Sequence, residues 1–262
     1  MKITRSAIDP ILLSAAGIIF PIWTVTWLWM NWSWTNFATI VIINWILGAN
    51  ISLFAHRAWC HRAWQPHPVV NMLGLIIFHL TMVGNSIGWA GVHREHHKFC
   101  DTDKDPHSPY HKSRLSIQFL SYFNKIKPQY ILDLARDKKH QWFYQNYWWL
   151  NLVCFVLLLI FDPAILQLWI AALGLTIFKL HTINSLCHRT PTILLPIKNT
   201  DTSSNSVVMV LLNLNNGEAW HKNHHQNASN WSFRQRWYEI DPPAMAIWTL
   251  TKLGLAKAPG LD

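Results

Sequence analysis

Charge is what this sequence is short of. Only 13% of its 262 residues are Asp, Glu, Lys or Arg, while 51% are apolar and 17 are tryptophan. A soluble domain carries about a quarter charged residues, so the deficit excludes an ordinary water-soluble globule and points to a body embedded in lipid. Cysteine is also scarce. Cys60, Cys100, Cys154 and Cys187 lie far apart, form no CxxC pair and sit in or beside apolar runs, so they are expected to be free thiols. The opening MKITRSAIDP leads into an apolar run with no small-residue cleavage site, which predicts a retained helix rather than a removed signal. No internal repeat or low-complexity segment stands out.

A membrane helix needs about 20 apolar residues. Two early stretches qualify, 11–30 and 37–55, joined by the uncharged MNWSWTN. Two more, 143–161 and 164–183, are split at Asp162-Pro163, where proline stops one helix and permits a tight turn. Trp23, Trp27, Trp29, Trp32 and Trp34, and later Trp142, Trp148 and Trp149, cluster near span ends as an aromatic belt does. Lys179 is expected to snorkel to the interface.

Basic residues then set the orientation. Lys2 and Arg5 precede the first span, twelve fall from Arg57 to Lys139, and seven lie from Arg189 onward; the turns at 31–36 and around Asp162 hold none. Such one-sidedness marks the cytoplasmic face. The net charge of +9 therefore reads as a cap beside anionic lipid headgroups, with no nucleic-acid partner. The expected fold is an all-α integral membrane protein of one domain, 1–262: four transmembrane helices under a cytoplasmic helical cap made by 56–142 and 184–262. Residues 69–90 are apolar enough for a fifth span. If they crossed, the histidines on either side would face opposite compartments, so this segment is expected to lie in, or re-enter, the interface, with Gly74, Gly84 and Gly88 easing its bends.

Nine of the 15 histidines fall into four clusters within the predicted cap. They are HRAWCH (His56, His61), HREHH (His93, His96, His97), NSLCH (His188) and HKNHH (His221, His224, His225). Residues at i, i+3 and i+4 share a helix face. At about 100° per residue, His93, His96 and His97 span an arc of about 100° with Glu95 on the far side, so each HxxHH is a three-nitrogen claw. His56 and His61 sit about 140° apart on an ideal helix, which predicts that they serve different ions or straddle a helix end. Nine imidazoles exceed what one ion holds, so two metals follow. Affinity order alone does not choose among iron, zinc and copper. Apart from outward Glu95, the motifs lack the carboxylates of soluble di-iron bundles. Asp101, Asp103, Asp105 and Glu218 are placed to orient ligand imidazoles rather than to bind metal, and His107, in the DPHSP that follows the second box, is a further candidate for that role. His67, His79, His111, His140 and His181 are expected to be core or surface groups.

These motifs resemble those of the membrane fatty acyl desaturases, especially the delta-9 group that includes stearoyl-CoA and bacterial acyl-lipid desaturases. HRAWCH is similar to that family's first histidine box, HREHHKFCDTDKDPHSP to the second and GEAWHKNHH to the third, with Asn184 and His188 matching a fourth element. The resemblance implies two iron ions held by the nine histidines, with Asn184 reaching iron through water. It also implies dioxygen as co-substrate, electrons from a separate ferredoxin or cytochrome, and a bent acyl tunnel running past the metals. Gly48, Ala49 and Ser52, below His56, and Trp89, beside the second box, are candidates to line that tunnel. Acyl-CoA members carry a basic and an acidic residue just before the second box; here Gly91 and Val92 stand there. That departure favours an acyl lipid over an acyl thioester as substrate. Two other readings compete. One is a di-iron lipid or alkane hydroxylase, which HxxxxH spacing and NSLCH disfavour. The other is a zinc-binding membrane transporter or sensor, disfavoured because the histidines cluster at span ends rather than at the midplane.

Overall fold

A computed structural model describes residues 9–120, 125–188, 201–206, 209–210 and 216–261. Lys2, Arg5, Arg189, Lys198 and the 189–200 stretch of the expected cap lie outside the described residues.

Helix α1, Asp9–Met30, and α2, Trp34–Asn50, are joined by a short turn in which the Ser33 side chain accepts a hydrogen bond from Asn36 N. That cap satisfies one of the free amides at the start of a helix. The helical path of α2 then continues, more widely wound, as a π-helix over Ile51–Cys60. Helices α3, Pro68–His79, and α4, Ser86–Phe99, are separated by a reversal in which Met82 and Gly84 take positive φ (56° and 97°). Short helices α5, Arg114–Leu120, α6, Leu132–Arg136, and α7, Lys138–Gln145, lead to α8, Tyr147–Phe161, and α9, Pro163–Leu186. Two late helices, α10, His221–Gln226, and α11, Pro242–Lys252, complete the described set, with a two-residue ladder pairing Gln65–Pro66 and Ala256–Lys257.

Among the described residues three helices are long and apolar enough to cross a membrane: Asp9–Met30, Trp34–Cys60 and Pro163–Leu186. The α7–α8 pair is bent by 64° and brings the number to four where its two helices count as one broken span. The α1–α9 interface is close because Gly174 lacks a side chain; a Cβ there would run into Phe20 backbone and Thr24. Thr24 Oγ1 lies 2.7 Å from the Ala171 carbonyl across that interface, and Asn44 Nδ2 donates to Thr176 Oγ1 at 2.7 Å between α2 and α9. Small residues and interhelical hydrogen bonds replace the hydrophobic drive that is missing between helices in lipid.

The third expected span differs from the structure. Residues 143–161 do not form one rod, because the chain turns at Asn146, whose Nδ2 donates to the Trp142 carbonyl at 2.8 Å. Phe143 belongs to α7. Residues 69–90 likewise form no single helix of membrane length; they are α3, the reversal and the start of α4. Of their three glycines only Gly84 supplies a positive φ, while Gly74 sits against the Phe54 ring. Lys179 does not snorkel: it is 4% exposed, packed inside the bundle where α9 passes Gly48. All four cysteines are free thiols.

Candidate metal centre

The nine clustered histidines converge from four places in the chain. The π-helical turn determines the first pair. In such a turn residue i+5 returns its amide to the carbonyl of residue i, and His61 N donates to His56 O at 3.1 Å. His56 and His61 therefore lie side by side, ring centroids 5.1 Å apart, in one donor group. Of the two expectations for this pair, different ions assumed an ordinary helix and is corrected by this winding, while a position across a helix end agrees with His61 as the C-cap of Ile51–Cys60.

That first group contains His56, His61, His93, His97 and His224, whose donor atoms lie within 4.8 Å of one another. His224 Nε2 is 2.9 Å from both His56 Nε2 and His97 Nε2, and His97 Nε2 is 3.1 Å from His93 Nε2. In the second group His96, His188 and His225 share such a cluster with the Cys100 thiol. His188 Nε2 lies 3.2 Å from His96 Nε2 and 2.7 Å from His221 Nε2.

Each HxxHH box is thus divided, not a claw on one ion. The i and i+4 histidines stay together and the i+3 histidine goes to the other group. His93 and His97 join the first group while His96 joins the second; His221 and His225 join the second while His224 joins the first. The i and i+4 positions are about 40° apart around a helix, whereas i+3 lies about 60° to the other side of i, so facing helices can divide them between two donor groups in this manner.

Carboxylates fix the tautomers. His56 Nδ1 faces Glu218 at 2.7 Å, His96 Nδ1 faces Asp105 at 2.9 Å, His188 Nδ1 faces Asp101 at 3.3 Å and His225 Nδ1 faces Asp201 at 3.1 Å. A carboxylate accepts, so each Nδ1 carries the proton and each Nε2 offers a lone pair. Burial would raise the Asp105 carboxyl, but hydrogen bonds from His96 and from the His107 amide hold it at about 2. Burial, reinforced by neighbouring imidazoles, pushes His93, His97, His221, His224 and His225 well below 6.5. Neutral nitrogens with lone pairs facing at 2.7–3.2 Å repel unless a cation lies among them. His61 Nε2 and His225 Nε2 are also buried with no hydrogen-bond partner among the described residues. The donor set therefore fits two metal ions.

The remaining predicted positions are placed as follows. Asp101 also accepts from Thr202 N and Oγ1, at 2.8 and 2.7 Å. Asp103 is exposed. His107 is buried, with Nδ1 lacking a partner among the described residues, and burial pushes its imidazole to about 3. It lines a cavity together with Trp89, Asn184, Val92, Leu180 and the ligand candidates His56, His93 and His221. Trp89 stacks on His93, centroids 4.9 Å apart at 22°. Gly48, Ala49 and Ser52 are not among the residues lining this cavity. Gly48 lies against Asn216, and Ser52 donates its hydroxyl to Glu218. Three further histidines link separate segments: His79 contacts the Tyr147 carbonyl, His140 the Ser86 hydroxyl and His181 the Gln118 carbonyl. Asp201 and Cys100 went unassigned in the sequence. Asp201 is 24 residues from His225 and has no local pattern to reveal it.

The helical body thus carries apolar helices of membrane length, and its imidazoles form two adjacent donor groups able to hold metal beside a cavity. The chain belongs to the fatty acid desaturase family, whose model matches residues 32–244. It is 31% identical over 243 residues to the delta-9 desaturase-like 3 protein of Arabidopsis thaliana, covering 86% of this chain and 77% of the relative. It is 29% identical over 242 residues to delta-9 acyl-lipid desaturase 1 of the same plant, covering 86% and 75%. It is 28% identical over 236 residues to the sn-1 stearoyl-lipid 9-desaturase of Anabaena variabilis, covering 86% and 84%. As a family member the chain is an oxidoreductase that acts on fatty acyl groups.

Proposed function

We propose that this protein is an oxygen-dependent desaturase that places a cis double bond, at delta-9, in a saturated acyl chain, with two iron ions in the two histidine groups. The observation that carries the reading is the convergence of nine imidazoles into two groups, three of them, His56, His93 and His221, lining one cavity. Iron and dioxygen would supply the oxidant that removes hydrogen from an unactivated methylene, chemistry beyond any side chain.

The chain's own residues perform the remaining tasks. Glu218, Asp101, Asp105 and Asp201 keep protons on the Nδ1 atoms, so that the opposite nitrogens stay free to ligate. Val92, Leu180 and Trp89 form walls that exclude water and hold a methylene chain in place, and the carbon attacked is chosen by that positioning. Asn184, lining the same cavity as His221, is assigned to reach the second ion through water.

Acyl lipid is the preferred substrate. A Cβ on Gly91 would lie 2.6 Å from Ile131 Cγ2 and 3.1 Å from Ile126 Cγ2, so a cationic side chain for a coenzyme A phosphate has no room there. The relatives named above as acyl-lipid and stearoyl-lipid enzymes favour the same choice. The histidines are assigned to the cytoplasmic side, where the basic residues concentrate, with a separate ferredoxin or cytochrome delivering electrons.

The test is expression in a host lacking unsaturated lipids, followed by mass spectrometry that locates double bonds. A new cis-9 monoene is expected. Hydroxylated chains would replace this reading with the hydroxylase, and unchanged lipids despite confirmed electron transfer would sink it. Two zinc ions and no iron on metal analysis would favour the transporter or sensor.

A further inference from the structure

Ser52 and Asp241 lie outside the histidine boxes and Arg57 directly follows His56 in the first, yet the three form one buried chain that ends on a ligand candidate. Arg57 is fully buried, and its Nη2 donates to both oxygens of Asp241, at 2.9 and 3.0 Å. Its Nη1 donates to Ser52 Oγ, and that hydroxyl donates to Glu218 Oε1. The other Glu218 oxygen holds His56 Nδ1.

Two further contacts tie the same ion pair to the first histidine group. The Arg57 guanidinium lies 3.7 Å over the Phe233 ring, and that ring is 4.4 Å from the His224 ring and 5.3 Å from the His56 ring. Gly217, at φ 80°, packs on the pair so closely that a Cβ would strike Asp241 and Arg57. The loop bearing Glu218 therefore rests directly on the ion pair. Asp241 is itself fixed by the Phe233 and Ala244 amides, at 2.8 and 3.2 Å.

A buried arginine–aspartate pair is costly to desolvate and is weak evidence of stabilisation. Here Nη2 reaches both Asp241 oxygens while Nη1 reaches Ser52, so the charge-assisted bonds fix the guanidinium's direction as well as its charge. We infer that residues 233–241 act as a clamp on the first metal ion: Asp241 sets Arg57, Arg57 sets Ser52, and Ser52 holds Glu218 in the pose that aims His56 Nε2 at the ion. Ser52, Arg57 and Asp241 are positioning residues, and the clamp serves the five-histidine group and not the other. The inference rests on reading that group as a metal site.

Cobalt(II) titration of the purified full chain, followed by visible absorption, tests it without turnover. Wild-type protein is expected to take up two cobalt ions. In Ser52→Ala one of the two binds roughly 10–100-fold more weakly, the usual effect of losing a partner of a ligating histidine, and its absorption bands shift; the other ion is unchanged. Asp241→Asn does the same more strongly. Because Ser52→Ala removes a single oxygen, it is read on protein whose tryptophan-fluorescence melt matches wild type, and a purely structural role would leave the bands of the loaded site in place. A wild type binding two cobalt ions together with a Ser52→Ala variant of identical affinity and bands overturns the clamp alone. A wild type that binds no cobalt overturns the clamp and the metal reading together.

Discussion

The two histidine groups are built from the same boxes but held by different means. The first takes five imidazoles, and among their Nδ1 atoms one carboxylate contact is seen, Glu218 on His56. It is kept in shape by packing: the π-helical turn beneath His56 and His61, Trp89 stacked on His93, and Phe233 against His224. The second has four imidazoles, and three of them, His96, His188 and His225, face Asp105, Asp101 and Asp201. An ion in the first group would thus be caged by helix geometry and one in the second by a ring of aspartates. An anionic ring raises the basicity of its ligands, so the second group offers the more electron-rich site, with one imidazole fewer and Asn184 on the shared cavity.

The largest test of that contrast removes one ligand from each group. His224→Ala and His96→Ala should each reduce desaturation to background, while metal analysis shows one ion retained in each. Loss of both ions from either variant would mean that the groups are one cooperative site. Next comes Asp105→Asn, which keeps the shape and removes the charge. It is expected to weaken metal at the second group by about 10–100-fold and leave the first unchanged. Equal loss at both would break the comparison.

Acidification gives a smaller, graded effect. His61, His93, His97 and His224 in the first group, and His221 and His225 in the second, are held well below 6.5 by burial. Below about pH 6.5 the unfolded chain binds protons that the folded chain refuses, so stability is full above that pH and drains as pH falls. Metal-free protein should therefore melt at progressively lower temperature from pH 7 to pH 5. Asp105, held at about 2, contributes in a separate window, below about pH 4, as the unfolded carboxyl protonates first. Metal-loaded protein should resist the first window, and a melt independent of pH in the metal-free form would contradict the burial of neutral imidazoles.

Three long apolar helices, the histidine clusters and the carboxylates that face them at Asp101, Asp105 and Glu218 were legible because each leaves a local mark: a long apolar run, a 3–4 spacing, an acid a few residues from a box. What was not legible depended on winding or on distance. HRAWCH looks like two histidines on different faces until the helix is known to be π-wound. The division of HxxHH between two ions needs the facing helix. Asp201 and Asp241 come from far along the chain, and Ser52 looked like a small residue leaving room for a chain when it is a hydrogen-bond link. The break at Asn146 was hidden because Phe143 and the residues after it are apolar on either side of one polar turn.

Trp89 provides the finest probe, since it touches the first group through ring contacts, stacked on His93 and edge-on to His56. An aromatic pair contributes about 0.5–1.5 kcal/mol beyond its buried area, which is about a twofold to tenfold change in an equilibrium constant. Trp89→Leu keeps an apolar wall and removes the stack on His93, whose ring it meets at 4.9 Å. Cobalt affinity at the first group should fall by that modest factor, less than Asp105→Asn costs the second group. Because Trp89 also lines the cavity, the same variant should alter the distribution of double-bond positions in the product lipids. Unchanged positions with weakened metal would make Trp89 a support for His93 only. Altered positions with unchanged metal would instead make it a wall of the acyl site, and would show that the first group does not need the stack to keep its shape.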